Sequence, residues 1–491
     1  MIREFLFDFF GYIVIFYSIG IILSYVAMVL LSAHNIAKRV ANKNDAFKKE
    51  TLFDSPYLPG VTIVAPAYNE EKTVVDNVKS LLDQDYPHFE VIIVNDGSKD
   101  STLEKLIDEF AMVRIPFDYV EHIHTKPFRC MYHSSLPEYA RLYVVDKENG
   151  GNKADAVNAG LNAVRTPYFI NTDVDCILSR DAIFRCVLPV LEEDNVIAVS
   201  GAMTMSNGCK VRQGKLMNRR ASWRYAPLFQ TLEYMRSFFI GKMAWSGING
   251  MPNVSGGYGL FKTDTMIAAG GYRSDSVAED MEMVLDAVKY CSDFNIPHRI
   301  VQIPVTCCWT EGPYNVRILY RQRKRWARGL LQAFARHWSM VGNRKCKVTG
   351  LVTLPYIFVF EFLAPVIEMT GLGMIVYLLF TGGINYTAAI VLGIALYAFN
   401  LLLTVCVITF DYAAGSSFDR PKEYLKLAVA GLLEPLLYHP LLSAFSVIGY
   451  LTQLFSSRSS WGTMTRKGYA DTPAAAQGQA AASAAANTET T

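Results

Sequence analysis

The 491-residue sequence is short of the features that mark several large classes of protein. Excess positive charge is the first. Its 47 lysines and arginines against 45 aspartates and glutamates leave a formal net charge of +2. That is too little for a chain whose affinity comes from neutralising nucleic-acid phosphates, so no nucleic-acid partner is expected. Paired cysteines are the second. No C-x-x-C occurs, and the adjacent Cys307 and Cys308 have no zinc-ligand spacing around them. Scattered thiols of this kind read as small buried hydrophobes, reduced and facing a cytosol. Glycine-rich phosphate signatures are the third. Neither G-x-G-x-x-G after a strand nor G-x-x-x-x-G-K-[ST] is found, which counts against a dinucleotide-binding dehydrogenase and a P-loop NTPase.

What is plentiful is apolar, at 51% of residues against 19% charged, and it is unevenly spread. The hydrophobic residues concentrate at the two ends, while the middle resembles an ordinary soluble domain, and the length allows two or three domains. Gly11 to Leu31 carries no charge and is long enough to cross about 30 Å of hydrocarbon as a helix. A cleaved signal peptide is the competing reading, but the run is long and Arg3 is balanced by Glu4 and Asp8. Lys38, Arg39, Lys43, Lys48 and Lys49 follow, so the positive-inside rule puts the N-terminus outside and the middle in the cytoplasm.

Three more apolar stretches follow at Leu351–Phe380, Tyr386–Phe410 and Tyr424–Phe455. The first carries Glu361, Pro365 and Glu368, and the last Glu434, Pro435, His439 and Pro440. Each of these two reads as a bent helix, or as an interfacial helix followed by a span. Carboxylates at such depth face a protein interior or a polar path. Three plain crossings would leave the C-terminus outside, whereas Arg458, Arg466 and Lys467 favour the inside. One of the broken stretches is therefore expected to be interfacial or re-entrant. Beyond Asp471 the chain turns to Ala, Gln, Ser and Thr, and a disordered tail is expected.

In the middle, apolar β-branched runs alternate with helical patterns. Val61–Ala65, Val91–Val94, Arg141–Val145, Tyr168–Asn171 and Val196–Gly201 read as strands. Glu71–Leu82, with Val74, Val75, Val78, Leu81 and Leu82, and Ser101–Phe110 read as helices. Such alternation predicts an α/β domain with a mostly parallel sheet covered on both faces. Ligands in such folds sit beyond the carboxyl ends of the strands, where this sequence places AYNE, NDGS and TDVD. The stretch Phe117–Tyr139, with His122, His124 and His133, reads as a loop rather than a metal site.

Several polar groups in this frame have chemistry in prospect. Asp173 and Asp175, one residue apart at a strand end, offer hard oxygens suited to Mg²⁺ or Mn²⁺ on a diphosphate; alone, a D-x-D is often just a surface pair. Lys153 opens a helix after Gly150 and Gly151, where it meets either solvent or donor phosphate. Glu279 and Asp280 also open a helix, so capping alone would explain them. A single carboxylate at a cleft edge is equally what an inverting sugar transfer needs to accept the acceptor's proton. In Arg321–Gly329, Gln322, Arg325 and Trp326 share one helical face, with Arg323, Lys324 and Arg328 on the flanks, where lipid headgroups are within reach. A plain membrane-surface helix is the alternative. On the functional reading, Arg325 meets the diphosphate and Trp326 stacks on the acceptor sugar.

Taken in order, AYNE (Ala67–Glu70), NDGS (Asn95–Ser98), NKADAVNAG (Asn152–Gly160), DVD (Asp173–Asp175), SGGYGLF (Ser255–Phe261), Glu279-Asp280 and QRKRW (Gln322–Trp326) resemble the family 2 processive glycosyltransferases. These are cellulose, chitin and hyaluronan synthases and bacterial poly-N-acetylglucosamine synthases. The resemblance runs from Val61 through Trp326 and extends to the apolar flanks. It implies a GT-A-like nucleotide-sugar-binding domain inserted between transmembrane helices. By that resemblance Ala67, Tyr68, Glu70 and Asp96 would hold the uridine of the donor, with Lys153, Asp173 and Arg325 along its nucleotide and diphosphate. Asp173 and Asp175 would hold the metal, Asp280 beside Glu279 would be the general base, and Gln322, Trp326, Ser255 and Gly256 would shape the acceptor end. Trp461, Thr463, Arg466 and Lys467 look like the segment that closes over the donor in hyaluronan-type enzymes, although two extra residues separate Thr463 from Arg466.

The expected division is a transmembrane helix over 1–34, a basic linker over 35–60 and a cytoplasmic catalytic domain over 61–335. Membrane and interfacial helices over 350–456, a gating segment over 457–470 and the tail over 471–491 complete it. The implied protein is a multi-pass enzyme of the cell inner membrane that extends a polysaccharide from a UDP-sugar, GlcNAc or glucose, and exports it. Its partners would be the UDP-sugar, the growing polymer or a lipid acceptor, membrane lipid and a small accessory membrane subunit. The rivals are a non-processive transferase acting on a lipid acceptor and a catalytically silent scaffold; the intact Asp96, Asp173, Asp175 and Asp280 speak against the second.

Overall fold

A computed structural model describes residues 2–41, 45–212 and 214–455. It begins with a long apolar helix, α1 (Ile2–Ala41), with Lys38 and Arg39 in its last turn, and a short α2 (Asp45–Leu52). Strands and helices then alternate as β1 (Val61–Ala67), α3 (Val74–Leu82), β2 (Phe89–Asp96), α4 (Thr102–Glu109), β3 (Met112–Ile115), β4 (Phe128–Ser134) and β5 (Leu142–Lys147). Next come α5 (Lys153–Ala163), β6 (Tyr168–Thr172), β7 (Ile177–Leu178), α6 (Ala182–Glu192) and β8 (Val196–Met205). A hairpin of β9 (Lys210–Arg212) and β10 (Lys215–Asn218) leads to α7 (Tyr225–Arg236), a π-helical turn over Ser237–Lys242 and α8 (Met243–Gly247). Then follow β11 (Tyr258–Lys262), α9 (Thr263–Ala268), α10 (Glu279–Asp293), β12 (Arg299–Thr310) and α11 (Val316–His337).

Ten strands form one sheet in the order β3-β4-β5-β2-β1-β6-β11-β8-β12-β7. Most run the same way; β4, β7 and β11 run against the rest. The expected α/β fold with a mostly parallel sheet is therefore observed. The central strands β1, β2 and β8 are almost wholly buried, which is why they read as unbroken apolar runs rather than alternating ones. α5 lies close against β1 and β2 because Gly160 has no side chain: a Cβ there would meet Val64 Cγ1 at 2.4 Å and Val94 Cγ2 at 2.9 Å.

The loop expected over Phe117–Tyr139 is corrected in part. Residues Phe128–Ser134 form β4, antiparallel to both β3 and β5, and Pro137–Tyr139 makes a 3₁₀ turn. A strand there satisfies backbone groups along the edge of β5, and His133 packs its ring on Tyr143 with centroids 4.6 Å apart. Residues 116–127 remain irregular and rest on α5, where Ile123 N donates to Asn162 Oδ1 at 3.0 Å.

After the sheet come α12 (Leu354–Ile357), α13 (Ala364–Thr381), α14 (Tyr386–Ala414), α15 (Pro421–Leu437) and α16 (His439–Phe455). Among the described residues, three helices are long and apolar enough to cross a membrane: Gly11–Ala41, Thr349–Thr381 and Tyr386–Ala414. α15 and α16 form a fourth candidate bent by 53°. The chain is a membrane protein. Two carboxylates in these helices have partners: Glu434 Oε2 lies 2.6 Å from Arg236 Nη1, and Glu368 Oε2 accepts from Ser443 Oγ at 2.5 Å. α7 joins the sheet domain to this bundle, since Tyr225 Oη donates to Leu437 O at 2.7 Å and Arg236 Nη2 to Thr404 Oγ1 at 2.8 Å. α11 lies against α16, where a Cβ on Gly449 would come 2.9 Å from Lys324 O.

Candidate active site

The parallel registers bring the carboxyl ends of β1, β2 and β6 to one edge: Ala67 pairs with Asn95, and Val64 with Asn171. Antiparallel β11 starts at that same edge, with Tyr258 opposite Thr172, so the Ser255–Gly257 loop arrives beside Asp173. Four polar loops thus share one rim. The site is built from what crosses between them.

Lys153, the first residue of α5, ties the rim together. Its Nζ lies 2.5 Å from Asp173 Oδ1 and donates to Gly256 O at 2.6 Å. The start of its helix is fixed by Asn152, whose Oδ1 accepts from Asp155 N at 2.9 Å. Gly256 N in turn donates to Asp280 Oδ2 at 3.0 Å, and Asn171 Nδ2 donates to Gly256 O at 3.1 Å. Backbone can pass this close only without a side chain: a Cβ on Gly256 would meet Asp280 at 3.3 Å, and one on Gly257 would meet Met203 Cε at 2.5 Å. Asp280 Oδ1 also accepts from Met281 N at 2.9 Å, at the N-terminal turn of α10, where exposed N–H groups favour negative charge. Next to it the carboxyl of Glu279 is pushed up to about 7, first by burial and then by the Asp280 charge, against the pull of Lys153 and Arg325. The Lys153 ammonium is held above its ordinary value: burial opposes its charge, but Asp173 and Glu279 outweigh that.

Oxygens of Asp173 and Asp175 and the sulfur of Cys176 lie within 4.8 Å of one another. Two carboxylates are the donor set of a hard divalent cation, and the Lys153 ammonium already places a positive charge against Asp173. The residues present fit Mg²⁺ or Mn²⁺, with Asp173 and Asp175 as ligands and the softer thiol set aside.

The AYNE and NDGS loops, expected at the nucleoside end, lie side by side. Asn69 N donates to Ser98 Oγ at 3.1 Å, and Lys99 N to Asn69 Oδ1 at 2.8 Å, so the two loops clasp each other. Ala67 is buried and Tyr68 is 43% exposed. Glu70 N donates to Thr102 Oγ1 at 2.8 Å, and its Oε2 accepts from Thr73 Oγ1 at 3.1 Å. Asp96 is held by Gly150 N at 2.9 Å, by Asn149 Nδ2 at 3.2 Å and by Lys147 Nζ at 2.8 Å. Lys147 is fully buried at the end of β5 and bonds Asp155 Oδ1 as well, at 2.5 Å. It was missed in the sequence because it belongs to none of the motifs; the available signal was a lysine closing an apolar strand whose neighbour closes on aspartate.

Of the residues expected at the acceptor end, Gln322 Oε1 accepts from Gln230 Nε2 of α7 at 2.9 Å, and Trp326 stacks against Tyr234 with centroids 6.4 Å apart. Ser255 contributes backbone, its O accepting from Tyr258 N at 3.2 Å. The placing of Arg323 on a lipid-facing flank is corrected: it is 6% exposed, and its guanidinium bonds Glu233 twice, Nη1 to Oε1 at 2.5 Å and Nη2 to Oε2 at 2.6 Å. Helical spacing assigns residues to faces but not the partner that covers a face, and here α7 covers it. Trp461, Thr463, Arg466 and Lys467 lie outside the described residues.

The structure therefore gathers Lys153, Asp173, Asp175, Gly256, Glu279 and Asp280 in one cluster, with Asp96 joined to it through Gly150 and the start of α5. A mostly parallel sheet with paired aspartates at the end of a central strand and a lone carboxylate across a glycine loop is the arrangement expected of a GT-A-like glycosyltransferase. The chain belongs to the family 2 glycosyltransferases: the model of "Glycosyl transferase family 2" matches residues 62–124, and that of "Glycosyl transferase family group 2" matches residues 180–402. Among curated relatives, the poly-beta-1,6-N-acetyl-D-glucosamine synthase of Staphylococcus epidermidis is 26% identical over 327 residues, 66% of this chain and 66% of that one. The enzyme of the same name from Staphylococcus aureus is 25% identical over 272 residues, 55% of each chain. The matched stretch thus spans about two thirds or less of those relatives' length. Among solved structures, a mannosyltransferase from Pyrobaculum calidifontis in complex with GDP-Man and Mn²⁺ is 18% identical, with a TM-score of 0.45 over 88% of this chain and 99% of that one.

Proposed function

We propose that this glycosyltransferase extends a polysaccharide by inverting transfer of a GlcNAc or glucose unit from a UDP-sugar, at the cytoplasmic face of the cell inner membrane, and passes the polymer outward through its own helices. The observation that carries the reading is the Lys153–Gly256 bridge, which sets Asp173 and Asp280 on two sides of one loop. The curated relatives named for poly-N-acetylglucosamine synthesis support the N-acetylglucosamine unit and the polymer.

In the transfer, an acceptor hydroxyl oxygen attacks the anomeric carbon and the bond from that carbon to UDP breaks, the electron pair leaving with UDP. The hydroxyl proton passes to the Asp280 carboxylate, whose two oxygens are held in place by Gly256 N and Met281 N. Asp173 and Asp175 would hold a divalent cation, which would supply charge neutralisation for the departing diphosphate. Lys153 holds Asp173 toward the glycine loop, Asp96 and the AYNE loop bind the nucleoside, and Trp326 receives the acceptor sugar. Glu279, neutral over part of the working pH range, spares the base a second adjacent negative charge.

Purified protein incubated with a panel of UDP-sugars and Mg²⁺ or Mn²⁺, with the product sized, tests this directly. Polymer is expected from one or two donors. A single sugar placed on lipid would replace the polymerase by the lipid-acceptor enzyme. Asp280→Asn should abolish transfer yet still bind UDP, and turnover by that variant would remove Asp280 as the base.

A further inference from the structure

The bend between α15 and α16 meets the acceptor end of the site through a largely buried side-chain cluster that the reaction just described does not use. Tyr438 stands at the bend and is fully buried; its Oη donates to Glu233 Oε2 at 3.1 Å. Glu233, on α7, takes both Nη atoms of Arg323, and Arg323 Nη2 also lies 3.3 Å from the Tyr438 oxygen. The face of the same guanidinium lies over the Trp326 ring, 4.4 Å from its centroid. Only a planar cation can offer an edge to a carboxylate and a face to an indole at once. Taking this guanidinium out of water costs several kcal/mol unless it is paired and hydrogen-bonded, and here it is both.

We propose that Arg323, Glu233 and Tyr438 are positioning residues that set the Trp326 ring, so that the bend of the C-terminal helix pair fixes how the acceptor sugar is presented to Asp280. The proposal rests on the reading of Trp326 as the acceptor platform. The cluster acts on the acceptor side, where the Arg323 guanidinium lies against Trp326.

The test compares, in the full-length protein, sugar incorporated into polymer with UDP released when no acceptor is extended, together with KM for the donor. Trp326→Ala calibrates the ratio. Tyr438→Phe keeps the buried ring and removes one hydroxyl; Arg323→Lys keeps the charge and loses the planar fork. Both are expected to lower the polymer-to-release ratio roughly tenfold, the size of one hydrogen bond to a charged group, with donor KM unchanged. If Trp326→Ala leaves the ratio unchanged, the platform reading fails and the proposal with it. If Trp326→Ala lowers the ratio while Tyr438→Phe and Arg323→Lys leave it at wild type, the platform stands and the positioning role is overturned. Equal falls in polymer and UDP release, or a raised donor KM, would reduce the cluster to a structural support and overturn the proposal as well.

Discussion

Glu279 gives the site a pH dependence whose size follows from its surroundings. Its carboxyl has an ordinary value of 4.5 in the unfolded chain and about 7 in the fold, raised by burial and by Asp280. Between those values the folded state holds a proton that the unfolded state has lost, so stability falls as pH rises and the loss is complete above the folded value. Each tenfold change in proton affinity is worth about 1.4 kcal/mol, so the full cost of ionising the buried group is about 3 kcal/mol. At pH ~5.5 only about 1.4 kcal/mol of that has accrued, because the unfolded chain is only one tenfold step beyond its own titration. Glu279→Gln cannot ionise and escapes the cost. The variant should therefore gain on the wild type by about 2 kcal/mol between pH ~5.5 and pH ~8.5, several degrees in melting temperature for a domain of this size. Thermal unfolding of both proteins in detergent, without donor or metal, measures it. A difference that stays constant with pH, or a wild type that gains as pH rises, would refute the account of Glu279 as a buried, proton-holding neighbour of Asp280.

Other perturbations bear on the remaining parts of the site. Chelation should stop transfer and Mg²⁺ or Mn²⁺ restore it; activity that survives exhaustive chelation contradicts Asp173 and Asp175 as metal ligands. Gly150→Ala would drive a Cβ to 2.2 Å from Asp155 Oδ1, displacing the carboxylate that Lys147 shares with Asp96. It should raise donor KM about tenfold or more, as expected when a buried charged hydrogen bond is disturbed, and an unchanged KM in steady-state kinetics would count against Asp96 as a donor contact. Trp326→Ala should depress polymer formation more than UDP release, and equal losses in both would argue against sugar stacking.

The strand-end clusters were legible in the sequence because fully buried parallel strands leave only one kind of place for consecutive polar residues. Val61–Ala65 followed by AYNE, and Val91–Val94 followed by NDGS, each announce a strand and where it stops. β4 was not legible: Phe128–Ser134 has neither an apolar run nor clean alternation, and its backbone partners β3 and β5 make it a strand. The break at Tyr438 was foreshadowed by Pro435 and Pro440, yet the 53° bend depends on what the helix pair rests against.

The groups that sequence reading placed worst, Lys147 and Arg323, have something in common. Each is a cation buried against a carboxylate supplied by another element, 51 residues away for Asp96 and 90 for Glu233. A lysine or arginine is read by default as solvated, because an unpaired buried cation is so costly, and the default reverses only when the partner is known. The motif residues to which the proposed reaction assigns its groups stand at strand ends and helix starts, where the sequence pattern finds them. The residues that hold those groups in register are defined by pairs across the fold, so they come into view only when the sheet has set Asp96 beside Lys147 and the packing of α7 on α11 has set Glu233 beside Arg323. Sites of this architecture should accordingly hide their positioning residues among unremarkable lysines and arginines next to recognisable motifs, and the productive search is for basic side chains whose burial the local pattern fails to explain.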